Sequence, residues 1–148
     1  MTLEQRLERL ETRAAIADLV HGYALAIRHD RPQDVERLFA RDGTFEIRDG
    51  TFEIRESGAQ ARSVQRFESP QALVTYLLPR KGGHPIPIIH NLMIEIEGDT
   101  ARASSVMVGP ILGTAHETFG EYADSFVRED GEWKFASRIF TIFRPPTD

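Results

Sequence analysis

The chain has 148 residues, of which 41% are hydrophobic and 28% charged, the size and composition of a single globular domain. Its 18 lysine and arginine residues against 23 aspartate and glutamate residues give a net charge of −5, which argues against a general nucleic-acid-binding protein. Cysteine is absent, which excludes disulfides, thiolate metal sites and cysteine nucleophiles. No apolar segment approaches the ~20 residues of a membrane span, and the N-terminus lacks a signal-peptide pattern. We therefore expect one cytoplasmic domain covering residues 1–148.

The N-terminal third of the chain is predicted to be helical. Residues 3–29 carry apolar side chains at helical spacing, and Thr2 with Gln5 matches a capping box at the start. Pro32 suits the first turn of a second helix, which we expect to end at residues 42–43. Ser69-Pro70 predicts the cap of a third, short helix. The expected core residues of the second helix are Val35, Leu38 and Phe39.

A tandem duplication follows, with GTFEIRD at 43–49 and GTFEIRE at 50–56. The repeat length is odd, so one continuous strand would place the Phe and Ile of the two copies on opposite faces. Asp49-Gly50 is a strong signal for a two-residue hairpin turn. Folding back there would pair Ile47 with Phe52 and Phe45 with Ile54, with all four side chains on one face. We therefore predict a hairpin centred on Asp49-Gly50, lengthened by a local duplication.

The rest of the chain carries strand signals. Residues 86–97 alternate between apolar and polar side chains. Further strands are predicted at 100–108, 119–128 and 133–143, with turns at 97–99 and 129–131. Helices followed by strands indicate an α+β protein, with about three N-terminal helices covering one face of a curved antiparallel sheet. The face that we expect to point inward on the first of these strands comprises Ile88, His90, Leu92, Ile94 and Ile96.

Several segments in this order resemble the SnoaL-like family of the nuclear-transport-factor-like cone fold, the fold of scytalone dehydratase and ketosteroid isomerase. The resemblance spans nearly the whole chain and implies a cone-shaped sheet with an apolar interior and a few polar groups. It also implies cofactor-free proton chemistry, with a His from the strand after the third helix and an acid and a Tyr from the first helix. The segments are LFARD at 38–42, SPQAL at 69–73, HN at 90–91, IEIEGDTARA at 94–103, GEYAD at 120–124, GEWKF at 131–135 and Arg138.

His90, Tyr23 and Asp30 are the candidate catalytic residues. An inward His90 among apolar neighbours would suit a general base, although a core His bonded to a backbone carbonyl fits the pattern too, and His84 is the reserve candidate. Tyr23 lies on the apolar stripe of the first helix, where it would either stabilise a developing oxyanion or simply fill the core. Asp30 would orient the imidazole, or else cap the helix. The position where many relatives carry an acid is Arg28, which would bind a substrate oxygen or remain solvated.

A secondary site is predicted on the later strands. Tyr122 and Asp124 alternate onto one face of a strand, and Arg138 could reach Asp124 across the sheet. This trio fits a structural ion pair, and an acid–Arg pair also occurs in the epoxide-hydrolase relatives that the resemblance implies. The residues expected to line the substrate site are Arg28, Phe39, Leu92 and Phe126.

Two functional hypotheses follow. The first is a cofactor-independent lyase or isomerase, of the dehydratase or cyclase type, acting on a small apolar cyclic or aromatic molecule. The second is a non-catalytic ligand-binding or assembly module of the same fold. In both we expect no cofactor, no metal ligands, no nucleic acid and no membrane partner, since the corresponding motifs are missing from the sequence. We also expect a homodimer or homotrimer, with the small residues of 100–108 suited to close sheet packing.

Overall fold

The computed structural model describes residues 1–51, 61–78 and 83–144. Its first helix, α1, spans Leu3–Arg28 and begins with the predicted capping box. The Gln5 backbone N–H donates to Thr2 Oγ1 at 3.1 Å, and the Thr2 N–H donates to Gln5 Oε1 at 2.9 Å. These bonds satisfy donors that have no partner inside the helix. The side of α1 that packs on the core carries Thr12, Ile16, Leu19, Val20, Tyr23 and Ala26.

The second helix is much shorter than predicted. Helix α2 covers only Gln33–Glu36, and strand β1 begins at Phe39, so the predicted end at residues 42–43 is wrong. Val35 and Phe39 are buried as expected, because one turn of helix followed by a strand serves their burial equally well. Gly43 lies where β1 changes register against the last strand, and a Cβ there would approach the Ala40 carbonyl oxygen to 2.9 Å.

Six strands form one curved sheet in the described part of the chain, which confirms the predicted α+β fold. The order is β2-β1-β6-β5-β4-β3, and the helices cover one face, called here the inner face. Neighbouring strands are antiparallel except for β1 and β6, which run parallel. The remaining elements are β1 (Phe39–Thr51), β2 (Arg62–Phe67), α3 (Pro70–Leu77), β3 (Ile88–Glu97), β4 (Thr100–Pro110), β5 (Glu117–Glu129) and β6 (Glu132–Arg144).

The predicted tight turn at Asp49-Gly50 is wrong. Strand β1 runs straight through these residues, with Asp49 opposite Arg62 of β2 and Gly50 opposite Phe143 of β6. A turn at Gly50 would break this pairing with two neighbouring strands, so the sheet overrides the local turn signal. Phe45 and Ile47 pair with Phe67 and Gln65 of β2 instead of with the second copy of the repeat. The expected partners in that copy, Phe52 and Ile54, lie outside the described residues.

Strand β3 does not keep one alternation along its length. A register shift separates His90 from Met93, and Asn91 has φ 53°. Ahead of this bulge Ile89 faces the core, whereas Ile88 and His90 are exposed. Beyond it Leu92, Ile94 and Ile96 pack on the core as predicted. The expectation that Ile88 and His90 point inward is therefore wrong, since the extra residue of a bulge exchanges the two faces of a strand.

The hydrophobic core fills the space between the inner face and the helices. Aromatic residues dominate it, with Phe126 and Phe135 stacked at 5.0 Å and Phe39 against Phe135 at 5.0 Å. No helix among the described residues is long and apolar enough to cross a membrane.

Candidate functional site

A charged pair lies at the centre of the inner face. Asp124 on β5 is directly opposite Arg138 on β6, with Ala103 and Phe45 as their outer neighbours in the same cross-strand row. Arg138 Nε lies 3.1 Å from Asp124 Oδ1, and the residues are 0% and 5% exposed. The contact predicted between these two residues is confirmed. A fully buried arginine needs such a partner, because transfer of an isolated charge into the core costs several kcal/mol or more.

Aromatic rings enclose the guanidinium of Arg138. Its Cζ lies 3.6 Å from the ring centre of Tyr122, 4.4 Å from that of Tyr23 and 4.9 Å from that of Phe135. Cations are attracted to the negative faces of aromatic rings, most strongly where water is excluded. Tyr23 therefore contributes to the site from α1, and Phe45 stacks on it at 5.9 Å.

Several polar atoms of this cluster have no hydrogen-bond partner in the described part of the chain. Arg138 and Asp124 form an ion pair through Nε and Oδ1, and this single contact leaves the other polar atoms of both groups without a partner. Asp124 Oδ2, the Nη1 and Nη2 atoms of Arg138 and Ser105 Oγ are buried without a hydrogen-bond partner among the described residues. Ser105 is the neighbour of Tyr122 across β4 and β5. Buried polar groups without partners are rare in proteins, so a water molecule or a ligand is expected to pair with these atoms.

The pKa values of the two ionisable groups beside Arg138, Asp124 and Tyr122, are both raised, and they lie on opposite sides of neutral pH. Burial raises the pKa of Asp124 to about 6, although the positive charge of Arg138 acts in the opposite direction. Burial likewise raises the pKa of Tyr122 to about 12, opposed by Arg138 and reinforced by Asp124. At neutral pH the cluster therefore offers a carboxylate able to take up a proton and a phenol that keeps its own.

The predicted catalytic trio is not brought together. Tyr23 is buried in the aromatic cluster, but His90 is exposed on β3. Asp30 is exposed just after the end of α1, in a left-handed conformation with φ 54°, and Arg28 is exposed in the last turn. The continuation of α1 that would have placed Asp30 on the face of Tyr23 does not occur, because the helix ends at Arg28.

The reserve candidate, His84, lies near Asp30. The two residues line one small cavity of about 10 Å³ together with Leu77 at the end of α3. That volume is about the room of a single water molecule. His84 Nδ1 is buried without a hydrogen-bond partner, and the structure contains no Asp30–His84 ion pair in this described region. The cavity is too small for an organic substrate.

The predicted lining residues divide in the same way. Phe39, Leu92 and Phe126 all belong to the core or pack against it, and Arg28 does not. The largest pKa shifts belong to Tyr122 and Asp124, which the sequence predicted only as a secondary site. The sequence signal for the pair was an acid and an arginine at opposing strand positions. The burial that raises the carboxyl pKa follows only from the folded sheet. Among the described residues no group of three or more His, Cys, Asp or Glu side chains could hold a metal ion.

Solved structures with the same fold are numerous. A protein of unknown function from Mycobacterium tuberculosis is 25% identical with a TM-score of 0.67, and the match covers 95% of this chain and 75% of that one. A type 2 hexachlorocyclohexane dehydrochlorinase is 18% identical with a TM-score of 0.70, covering 93% and 88%. The proposed beta subunit of an aromatic-ring-hydroxylating dioxygenase from Novosphingobium aromaticivorans is 22% identical with a TM-score of 0.69, covering 95% and 94%.

The sequence comparison identifies the family independently of these structures. No curated protein matches the chain significantly. Residues 8–139 match the family model of the SnoaL-like domain, well over half of the chain. The resemblance found in the sequence is thereby confirmed: this chain belongs to the SnoaL-like domain family.

Proposed function

We propose that this chain is a cofactor-independent lyase or isomerase that uses Asp124 as its proton-transferring group. The observation that carries the proposal is the buried Asp124–Arg138 pair, with an elevated carboxyl pKa and unpaired polar atoms. A general base works best when its pKa lies near the operating pH. This assignment replaces His90, which is exposed on β3.

In the proposed reaction Asp124 transfers the proton, and Arg138 and Tyr122 stabilise the developing negative charge. Asp124 removes a proton from a substrate carbon, and the electrons of the broken C–H bond form a new carbon–carbon double bond. In a dehydration the adjacent C–O bond breaks, and the same proton leaves with the hydroxyl as water. In an isomerisation Asp124 returns the proton to another carbon. The Nη atoms of Arg138 and the phenol of Tyr122 stabilise the oxygen on which negative charge develops.

The surroundings favour a small, mainly apolar substrate. The cross-strand row next to the ion pair contains Ser105, Tyr122, Phe140 and Ile47. Hydrocarbon side chains thus lie on both sides of the ion pair. Apolar sites with a few polar groups are typical of small-molecule pockets. One neighbour is by name a dehydrochlorinase of hexachlorocyclohexane, which supports an elimination on this fold.

Access to the pair requires a side chain to move. Asp124 is 5% exposed, and the Phe140 ring lies 4.8 Å from Tyr122. The ring occupies space that Gly120 leaves open, since a Cβ at that glycine would lie 2.8 Å from Phe140 Cε2. We propose that the Phe140 ring moves to admit the substrate, and we expect Phe140→Ala to accelerate entry of bulkier molecules.

Proton exchange tests the proposal without knowledge of the leaving group. A panel of cyclic ketones, β-hydroxyketones and chlorinated rings is incubated with the protein in D₂O, and deuterium uptake and elimination are followed by NMR. We expect one compound class to react, and Asp124→Asn to slow that reaction by roughly 100-fold or more. Glu46→Gln is the matched control, because it also neutralises a buried carboxylate beside an arginine, but on the outer face.

The pH–rate profile covers the case in which Asp124→Asn does not fold. The unmodified protein should lose activity with an apparent pKa near 6 as Asp124 becomes protonated. An undiminished rate in folded Asp124→Asn would remove this residue from the mechanism.

A second candidate is a non-catalytic module of the same fold. It is favoured by Phe45, Phe126 and Phe140, which are all buried in the core of the cone. It predicts that the panel gives no turnover, even for compounds that raise the thermal midpoint of the protein.

A further inference from the structure

The start of helix α1 presents apolar side chains to solvent. Each of the first eleven residues is exposed, although the helix contains three large apolar side chains in this stretch. Leu3, Leu7 and Leu10 are 79%, 54% and 64% exposed. Leucines exposed in a contiguous row are uncommon on a monomer and mark an interaction surface.

These leucines form a regular stripe. Together with Ala14 they follow a spacing of four, three and four residues, which is the a/d pattern of a coiled coil with Leu7 and Ala14 at a and Leu3 and Leu10 at d. At about 100° per residue the stripe lies roughly opposite the side that packs on the core, where Ile16 and Tyr23 lie. A helix docked on the stripe would therefore not meet the body of its own chain.

The charges beside the stripe specify the orientation of a partner helix. Glu4 and Glu11 fall at e positions, and Arg6 and Arg13 fall at g positions. In a parallel pair, a g residue meets the e residue five positions further along the partner, so Arg6 faces Glu11 of a second copy. In an antiparallel pair, g meets g and e meets e, which juxtaposes like charges.

Within its own chain part of this charge pattern is unused, whereas Arg13 donates to the Ile94 carbonyl oxygen at 3.2 Å. Among the residues that the structure describes, Arg6 and Glu11 have no ion-pair partner. Glu8, by contrast, is bound on the other side of the helix, where it accepts from Arg128 at 3.3 Å. The ion pairs within the chain thus use a different side of the helix from the stripe.

We propose that residues 3–14 of α1 pair in parallel with the same segment of a second copy, forming a two-stranded coiled-coil interface. The stripe is self-complementary about a two-fold axis parallel to the helix, and its flanking charges match only in that orientation. This interface differs from the packing expected for residues 100–108, since β4 is hydrogen-bonded between β3 and β5 and has only its outer face available.

The oligomeric state provides the first test. Light scattering of the full chain at about 50 µM should give a dimer or a multiple of it, and Leu7→Glu should raise the dissociation constant by at least about tenfold, as expected of a charge at an a position. Leu112→Glu is the control, since Leu112 is 71% exposed in the segment between β4 and β5. A monomeric unmodified protein, or a Leu7→Glu variant with unchanged mass, would overturn the proposal.

Disulfide trapping tests the orientation, because the chain has no cysteine of its own. In a parallel pair the two copies of residue 10 face each other, so Leu10→Cys should form a covalent dimer under mild oxidation. Arg9→Cys, exposed on another side of the same helix, should not. Arg6→Glu should weaken the dimer several-fold, and adding Glu11→Arg should restore it. Equal cross-linking of both cysteine variants, or none at position 10, would contradict a parallel pair.

Discussion

The sheet carries a buried carboxylate beside an arginine on each of its two faces, and the two pairs have opposite electrostatics. On the inner face burial raises the pKa of Asp124 to about 6 despite Arg138. On the outer face the hydrogen bonds from Arg48 lower the pKa of Glu46, and they outweigh its burial. The sites are neighbours, since Phe45 pairs with Arg138 and Glu46 with Ile139 along the same two strands.

Hydrogen-bond geometry explains the difference. Arg48 donates from Nε and Nη2 to the two carboxylate oxygens of Glu46 at 3.1 Å each, and Arg66 lies 3.7 Å away. Asp124 has one contact of 3.1 Å, from Arg138 Nε to its Oδ1 atom, and its Oδ2 atom has no hydrogen-bond partner among the described residues. Bidentate pairing stabilises a carboxylate ion, whereas burial with incomplete pairing favours the neutral acid. The outer pair is therefore suited to stabilising the sheet and the inner one to proton transfer.

Removing one member of the inner pair should have the largest effect. Arg138→Met leaves Asp124 buried without a cation, and such changes cost about 3–5 kcal/mol of unfolding free energy. Adding Asp124→Leu should recover most of that loss, because an apolar pair of similar volume needs no desolvation of charge. Urea denaturation of the three proteins measures both effects. If the double variant were as unstable as Arg138→Met, the ion pair itself would be the stabilising element.

The two faces should also respond oppositely to pH. Asp124 titrates near 6 when folded and near 3.8 when unfolded, so the folded state holds the extra proton in that window. Its contribution to stability therefore increases as the pH falls from 7.5 to 4.5, by about 2 kcal/mol. Urea denaturation at several pH values, relative to Asp124→Leu/Arg138→Met, isolates this contribution. A difference that shrinks toward acid pH would reverse the assigned direction.

The outer pair should show a smaller effect of the opposite sign. Its lowered pKa means that the stability it supplies is present above pH 4.5 and is lost as the pH falls through the folded value. Glu46→Gln should cost about 1 kcal/mol at neutral pH, since Arg66 is half exposed and Arg48 partly so. The measurement is the urea midpoint from pH 7 downward, and the disadvantage of the variant should shrink as the pH falls below 4.5.

The fold was predictable from the sequence where local and global signals agree. The capping box of α1, the Ser69 cap of α3 and the last hairpin of the sheet follow from short patterns that the structure retains. The predicted turn at Asp49-Gly50 does not form, because β1 is hydrogen-bonded to a strand on each side. Its pairing with β6 joins residues more than 80 positions apart in the sequence, and such pairing leaves no local signal.

The candidate site was less predictable. The pairing of Asp124 with Arg138 followed from alternation and hairpin register, but its complete burial did not. The prediction that His90 points inward was wrong because of one bulge at Asn91. No periodicity in the sequence reveals a single extra residue of this kind. The prediction that Asp30 lies on the same helix face as Tyr23 was wrong, because α1 ends two residues before Asp30. A site built from several elements thus depends on small local irregularities that leave the fold unchanged.

The titration of individual carboxyl groups tests the central claim most directly. In protein labelled with ¹³C at the aspartate and glutamate carboxyl carbons, Asp124→Asn and Glu46→Gln assign the two resonances. We predict a midpoint near 6 for Asp124 and one below 4.5 for Glu46. A midpoint for Asp124 at or below 3.8, the ordinary value, would show that Arg138 holds it permanently ionised and would contradict its role as a proton-transferring group.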